Sequence, residues 1–496
     1  MKRKRKPQEN QAVTRISPQE FASAYRDLLS PEDYDQLIEE VQKPLPPAIR
    51  INPLKTDSAF PSRLSAKYGW QLEAIPFCPT GFRILNAAPA LVSATLEHHL
   101  GRYYIQEAAS MLPVELFSPL MEDEIILDMA ASPGGKTTHL ISRSGDRGLV
   151  LANDSSAGRI QALRMVLQQW GSVSHAITRF PAEHFGEWYP GVFDKVLLDA
   201  PCSMQGLRTA ESHPVRPVSE KESLQLSIRQ RAMLTSAIHS LRVGGEVVYS
   251  TCTLLPQEDE MVVEAILKQF GAVLHVLDVA KSHSIIAPAL TTYQGERFSP
   301  ETLKALRLWP FRYQTAGFFA CIFQKVDETH PISIPPPERP LERAGFEALS
   351  YSRQNEFCEK FYEMYGYDLS KDLKENRWSL VKRFEQIHLF PDLLLEKFSG
   401  LPLQGAGMLL GEETPPGFLP SHSWVSRFAG SCTRNRFQLN EKQSEAWMEG
   451  KNLEVQLQSD PGKSPYRVIL NSEGMPIGRA RVTSQGLKNL FPRGLK

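Results

Sequence analysis

A doubly wound α/β sheet, mostly parallel, is the fold class this 496-residue sequence predicts, and three observations carry it. Phe193-Asp194-Lys195-Val196-Leu197-Leu198 and Gly245-Glu246-Val247-Val248-Tyr249 are short, largely apolar runs with the length and β-branched content of interior parallel strands. Glu124 to Asp128 reads as another such strand, followed by a small-residue loop and an amphipathic helix through Ile141. In open sheets of this class the ligand crevice lies beyond the carboxyl ends of the strands. The first two runs deliver Asp199-Ala200-Pro201-Cys202 and Tyr249-Ser250-Thr251-Cys252-Thr253 to that edge.

The loop Ala130-Ala131-Ser132-Pro133-Gly134-Gly135-Lys136 is built for close approach of a ligand to the backbone, and the helix after it offers unpaired N–H groups. Its Gly-Lys-Thr ending imitates a phosphate-cradling P-loop, but that pattern needs glycine where Ala130 stands, which argues against a nucleoside triphosphatase. One strand later, Gly148 to Asp154 ends in an acid about 20 residues past the loop, the separation at which a carboxylate meets ribose hydroxyls in a doubly wound nucleotide fold. A strand-terminal Asp is by itself as often a helix cap. Together with the loop and Asp199 it outlines a site for a nucleoside-bearing cofactor.

A lone cysteine is more often a core residue than a functional one. Two delivered to one sheet edge beside an acid favour covalent chemistry on a base. The family resemblance given below implies cytosine as that base, whose carbon 5 is too weak a nucleophile to attack a methyl sulfonium unless a thiolate first adds to carbon 6. A carboxylate near ring nitrogen 3 stabilises such an adduct, a task that suits Asp199. Position alone does not say which thiol attacks.

Four segments, Tyr104 to Met111, Asp128 to Thr137, Asp199 to Ser203 and Ser250 to Leu254, resemble in order the Nol/Nop/Sun family of RNA cytosine-5 methyltransferases. The likeness runs from about Ile49 to Gln324, and the C-terminal part is similar to that of the bacterial 16S ribosomal RNA methyltransferase F group, most clearly at Gly400 to Gly411 and Gly478 to Lys496. The resemblance implies a Rossmann-like catalytic domain and methyl transfer from S-adenosylmethionine to carbon 5 of cytosine in 16S RNA or the 30S subunit. It assigns cofactor contacts to Ala130 through Lys136, Asp154 and Asp199, nucleophilic attack to Cys252 and product release to Cys202. A transfer RNA methyltransferase of the same family and a noncatalytic ribosome-assembly factor are the alternatives.

The chain departs from the family pattern at three places. Pro181 occupies the position of an acid that meets the adenine, with Glu183 two residues downstream as a possible substitute. After Cys202 the usual Ser-Gly-Glu-Gly reads Ser203-Met204-Gln205-Gly206, which predicts a stiffer, less negative loop. Beyond Cys252, Glu258 and Glu260 keep two expected acids, with helix capping as the competing role.

Composition is that of an ordinary globular protein, 42% apolar and with a net charge of zero by count. Six cysteines without a Cys-x-x-Cys pair predict no metal site and suit a reducing cytoplasm. No apolar run approaches the ~18 residues of a membrane span, and no signal-peptide pattern follows the basic start. Basic charge gathers in Lys2 to Lys6 and in Arg479, Arg481, Lys488, Arg493 and Lys496, where it can attract phosphates.

The expected organisation is a basic disordered arm (1–16), a small RNA-contacting α+β domain (17–100), the catalytic domain (101–326), a proline-rich linker (327–343) and an RNA-binding extension (344–496) with a pseudouridine synthase and archaeosine transglycosylase (PUA)-like part. Ala48 to Lys55 reads as an alternating strand with its basic residues outward, and Glu454-Val455-Gln456-Leu457 and Tyr466 to Leu470 as strands of the extension. A monomer is expected from the family likeness.

Overall fold

Eight strands in one hydrogen-bonded series organise the middle of the chain, in a computed structural model that describes residues 17–206, 217–280, 285, 287–455 and 464–492. With a ninth paired off this series, the strands are β1 (Ile125–Asp128), β2 (Leu149–Asn153), β3 (His175–Thr178), β4 (Phe193–Asp199), β5 (Leu241–Thr251), β6 (Leu274–Val276), β7 (Leu306–Leu308), β8 (Phe318–Lys325) and β9 (Gly405–Ala406). Their order is β6-β8-β5-β4-β1-β2-β3-β9, with β7 added beside β8. The run from β5 to β3 is parallel, and β6, β8 and β9 join antiparallel.

Alternate side chains of these strands feed two cores, as the period-two geometry of a strand requires. Leu127, Leu151, Val196, Leu198, Val247 and Tyr249 face helices α3 (Glu220–Ser240) and α4 (Glu260–Phe270) through Leu234, Ile238, Val263 and Ile266. Ile126, Val150, Leu197 and Val248 face α1 (Gly135–Arg143) and α2 (Ala157–Trp170) through Leu140, Ile141, Leu163 and Leu167. Burial on both sides explains why these strands read as nearly continuous apolar runs.

The N-terminal unit is a four-stranded sheet, Leu72–Ile75, Cys78–Ile84, Ala48–Ile51 and Tyr103–Ile105 in that order, with helices Pro18–Ser23, Pro31–Val41 and Phe60–Tyr68. Because Tyr103–Ile105 pairs with Ala48–Ile51, this unit continues beyond the boundary expected at Leu100.

The outward basic positions expected on its central strand are inward. Arg50 is fully buried, donating from Nε to Gln106 Oε1 at 3.0 Å and from Nη2 to Gly135 O and Thr138 Oγ1 at 2.9 and 2.6 Å, over the Trp170 ring. Lys55 Nζ donates to Leu100 O, Gln169 O and Ser426 Oγ, and burial beside Arg102 and Arg427 pulls its pKa well down. Arg50 sits on a central strand wedged between two units with no solvent face, whereas the strand ends at Ile51, short of the expected Lys55, which lies in the following turn packed against the extension. The two cations find carbonyls and hydroxyls instead.

The proline-rich segment does not isolate the extension. Gly405–Ala406 adds a strand to the catalytic sheet, and Val381, Phe390, Leu394, Phe398 and Leu401 share its core. The extension holds a five-stranded antiparallel sheet from Glu347 to Pro420 and a four-stranded one from Arg436 to Asn489. Tyr466–Leu470 is a strand as expected, whereas Glu454 and Val455 are not. Residues 1–16 with their basic arm, Gln456, Leu457, Arg493 and Lys496 lie outside the described residues. Among the described residues no helix is long and apolar enough to cross a membrane.

Candidate active site

Parallel pairing of β1, β4 and β5 brings their carboxyl ends together, so the 130–136 loop, the Pro-Cys corner and the Thr-Cys corner share one edge. Asp199, the last residue of β4, lies opposite Ser250 on β5. Its Oδ1 accepts from Ser250 Oγ at 2.9 Å and its Oδ2 from Lys136 Nζ at 2.7 Å. Burial works against the Lys136 charge, but Asp199 outweighs it and the ammonium pKa is raised. Lys136, expected among the cofactor contacts, is thus aimed at Asp199.

Cys202 Sγ and Cys252 Sγ are 3.3 Å apart, both partly exposed and both free thiols. Contact with Cys252, reinforced by burial, raises the Cys202 pKa well above the ordinary thiol range and keeps that sulfur protonated. The two corners are also joined by backbone. Gly206 N donates to Cys252 O at 2.9 Å and Gly317 N to Gly206 O at 2.7 Å. A Cβ on Gly206 would meet Gly317 O at 2.3 Å, which is why only glycine fits there.

Acids after Cys252 act on these corners rather than as helix caps. Glu258 Oε2 accepts from Ser203 N at 3.0 Å and Gln230 Nε2 at 2.9 Å, beneath the Pro-Cys loop, and burial raises its pKa. Glu260 Oε1 accepts from Arg307 Nε at 2.9 Å, and Arg307 Nη2 reaches Asp259 Oδ2 at 3.2 Å, with all three side chains fully buried. Thr251 Oγ1 donates to Asp259 Oδ1 at 2.6 Å and Arg307 Nη1 to Leu254 O at 2.7 Å, which ties the ion cluster to the Thr-Cys corner. The capping role fails because both carboxylates are buried where a cation and N–H groups are nearer than a helix terminus.

The loop expected to meet the cofactor is a tight turn from strand into helix. Gly134 sits at φ +115°, and a Cβ there would press on Val166 and Leu163, while one on Gly135 would meet the Tyr104 ring at 2.9 Å. Ala131 N donates to Asn153 O, and Ser132 Oγ to Arg159 O across the exposed turn at Pro133. Asp128 accepts from Thr137 Oγ1 at 2.7 Å, and burial pushes its pKa up to about 7. Ala130 follows directly between β1 and this turn.

Asp154 stands just past β2 with its side chain buried. Its Oδ1 accepts from Ser156 N and Arg159, and its buried Oδ2 has no hydrogen-bond partner among the described residues. A buried carboxylate oxygen left open at the end of β2 fits a ribose hydroxyl donor, so the donor set suits a nucleoside cofactor. Pro181 is exposed and offers no side-chain hydrogen bond, while Glu183 Oε1 accepts from Arg229 Nε at 3.2 Å with Oε2 buried and unpartnered among the described residues. Met204 has φ +58°, a left-handed conformation that favours the glycine it replaces.

Sequence reasoning missed Arg307, Gln230 and Tyr25, whose hydroxyl donates to Gln205 O at 3.1 Å. None lies within a motif, and only folding brings them to the corners. A separate buried trio, Cys78, Glu115 and His139, has ligand atoms within 4.8 Å of one another. Its His139 Nε2 to Glu115 Oε1 contact at 2.8 Å and the neighbouring Arg143 already occupy the carboxylate, which argues for a structural role.

Residues 116–324 match the family model of the 16S rRNA methyltransferase RsmB/F, and residues 18–108 that of the N-terminal domain of 16S rRNA methyltransferase RsmF. The chain is 33% identical over 467 residues to a ribosomal RNA small subunit methyltransferase F of Klebsiella pneumoniae (strain 342), covering 93% of this chain and 92% of the relative. It is 30% identical over 489 residues to a protein of the same name from Psychromonas ingrahamii, covering 96% and 97%. A methyltransferase homolog of Pyrococcus horikoshii superposes with a TM-score of 0.52 at 30% identity, over 63% of this chain and all of that one. The NSun6 structure of the same organism shares the fold, at 22% identity, a TM-score of 0.52 and 63% and 99% coverage. This chain therefore belongs to the ribosomal RNA small subunit methyltransferase F family, Rossmann-like methyltransferases that use S-adenosylmethionine.

Proposed function

We propose that this RNA methyltransferase modifies carbon 5 of cytosine in the RNA of the small ribosomal subunit, through a covalent bond between Cys252 and carbon 6 of the base. The observation that carries the reading is the pair of free thiols, 3.3 Å apart, at the ends of adjacent parallel strands with Asp199 beside them. The family membership supports ribosomal RNA as the substrate.

S-adenosylmethionine supplies an electrophilic methyl group when bound, held by Ala130 to Lys136 and by the open Asp154 oxygen. Cys252, partly exposed, gives up its proton to water and its thiolate sulfur adds to carbon 6, so that the electron pair of the carbon 5–carbon 6 double bond moves to carbon 5 and toward ring nitrogen 3. Asp199, clamped by Lys136 and Ser250, stabilises nitrogen 3 and the amino group of that adduct. Carbon 5 would then bond to the methyl carbon, whose bond to the sulfonium sulfur breaks with the electron pair left on that sulfur. Loss of the carbon 5 proton to a base restores the double bond and breaks the bond to Cys252. Cys202, held as a thiol, hydrogen-bonds the departing sulfur and favours its release.

The extension contributes RNA contacts. Arg481 and Lys488 are exposed and directly opposite each other across two strands, a like-charge pair that costs stability unless an anion lies over it. Transfer of labelled methyl to 30S subunits, free 16S RNA and bulk transfer RNA tests the reading, with bisulfite mapping of the product. Incorporation at cytosine in a ribosomal substrate, abolished in Cys252→Ala, is the expected result. Incorporation into transfer RNA alone, or undiminished activity of Cys252→Ala, would contradict it.

A further inference from the structure

Between the outer edge of the catalytic sheet and the extension runs a cleft of about 600 Å³, away from the strand ends that carry the thiols. It shares Phe346, Arg383 and the Gln404–Ala406 backbone with a smaller cavity of about 180 Å³, so the two form one groove. Arg164, Arg383 and Arg479 line the larger part and Arg339 the smaller. Among the described residues, no aspartate or glutamate lines either part.

Several polar atoms of residues that line this groove lack partners. The Nε atoms of Arg383 and Arg479, His388 Nε2 and both ring nitrogens of His422 are buried without a hydrogen bond among the described residues. Unmade bonds of buried polar groups cost about 1–3 kcal/mol each, so the lining is incomplete as it stands. The two guanidinium Nε–H groups, with at most one N–H from each neutral, buried imidazole and no carboxylate among the described lining residues, suit phosphate oxygens.

A second observation lies beside Arg383, one of the lining arginines. Phe384 forms the tip of the hairpin between Trp378–Arg383 and Gln386–Pro391, at φ +53° and 75% exposed. A bulky aromatic in the left-handed region is strained, and this one gains little burial in return. The Arg383 guanidinium lies 5.0 Å from the Phe346 ring centre and 5.8 Å from that of Phe384. An exposed ring beside arginines in a cationic groove is the arrangement that stacks an unpaired base while phosphates run along the cations.

We infer that this groove binds a single-stranded segment of the RNA substrate, its phosphates on Arg383 and Arg479 and a base on Phe384. The inference rests on the RNA-modifying function proposed above and adds to it a binding surface remote from the chemistry. Duplex RNA does not enter, because its bases are already stacked.

The test measures binding of a fluorescent single-stranded oligoribonucleotide, the same sequence as a duplex, and adenosine monophosphate to the full chain. Expected for Arg383→Gln combined with Arg479→Gln is weakening of single-strand binding by about tenfold or more, with a shallower salt dependence, roughly one unit of slope for each phosphate that is no longer neutralised. Phe384→Ala weakens it by roughly tenfold with the salt slope unchanged, and Phe384→Trp restores it. Arg383→Lys retains most of the slope, which separates charge loss from misfolding. In methyl transfer the same variants raise KM for RNA with kcat and S-adenosylmethionine affinity unchanged.

Unchanged single-strand affinity and salt slope in the double variant would overturn the inference. So would tighter, arginine-dependent binding of adenosine monophosphate than of the strand, which would mark a free-nucleotide site. Should the wild type bind RNA through Arg383 and Phe384 yet transfer no methyl to any RNA, the proposed function falls and the groove stands.

Discussion

The two cysteine corners lie 3.3 Å apart at their sulfurs and are held by opposite means. The Thr-Cys corner continues β5 and rests on a fully buried ion cluster, Arg307 with Asp259 and Glu260, that reaches it through Thr251 and Leu254. The N-terminal helices seal it, since Phe21, Tyr25 and Trp309 form one core with Leu254. The Pro-Cys corner instead is a loop held by neutral and single-charge hydrogen bonds, from Glu258 and Thr253 to Ser203, Gln230 to Pro201 O, Tyr25 to Gln205 O and Gly206 to Cys252 O, with Met204 46% exposed in a left-handed conformation. A sulfur that must meet carbon 6 of a base in one geometry gains from a fixed support. A sulfur that assists departure gains from a lighter hold. On the proposed roles, attack falls to the thiol braced by buried charge and release to the thiol on the more exposed loop.

The contrast breaks first at Arg307. Replacing it by Met leaves two buried carboxylates without their cation, and loss of one partner of a buried ion pair costs about 3–5 kcal/mol. Denaturant unfolding of Arg307→Met therefore shows a large fall in stability together with loss of methyl transfer. If stability holds and only activity changes, the corner is not supported as described.

Glu258 sharpens the comparison through pH. Burial raises its pKa above its ordinary 4.5, so the folded state retains a proton that the unfolded chain releases as pH climbs past that value. The unfolded state then binds fewer protons, and the Glu258 contribution to stability declines with rising pH. Glu258→Gln keeps an acceptor for Ser203 N and removes this dependence. Its stability relative to wild type should improve steadily from about pH 4.5 upward in paired unfolding curves, and a gap that moves the other way would contradict the assignment.

Smallest is the effect of Met204→Gly. Glycine adopts φ +58° without strain, so the variant gains roughly 0.5–1 kcal/mol from the folded loop, less its own chain entropy. A rise in melting temperature with unchanged S-adenosylmethionine binding is the expected outcome. A fall would mean that the methionine side chain packs to more advantage than the backbone loses.

Much of this arrangement is legible in the amino-acid order alone. Runs such as Val196-Leu197-Leu198 announce strands buried on both faces, and the glycines and Asp154 announce the cofactor loop, because those signals are local in the chain. What stays hidden is pairing at a distance. Nothing around Arg307 points to Asp259 and Glu260, 48 and 47 residues away, and Arg50 reads as a solvent-facing base until the neighbouring unit covers it. The strand Gly405–Ala406 is illegible for the same reason: two small residues joining the edge of β3 carry no periodic signal. Met204 is visible as a departure, but its left-handed backbone is not, since a sequence names the residue and leaves the dihedral open.

The central claim is that Cys252 attacks and Cys202 releases. It is tested most directly by incubating RNA substrate and S-adenosylmethionine with wild type, Cys202→Ala, Cys252→Ala and the double variant, then resolving protein–RNA adducts on a denaturing gel. The account predicts a nuclease-sensitive adduct that accumulates with Cys202→Ala and is absent from both proteins lacking Cys252. An adduct that persists in Cys252→Ala and vanishes in Cys202→Ala would reverse the two roles and contradict it.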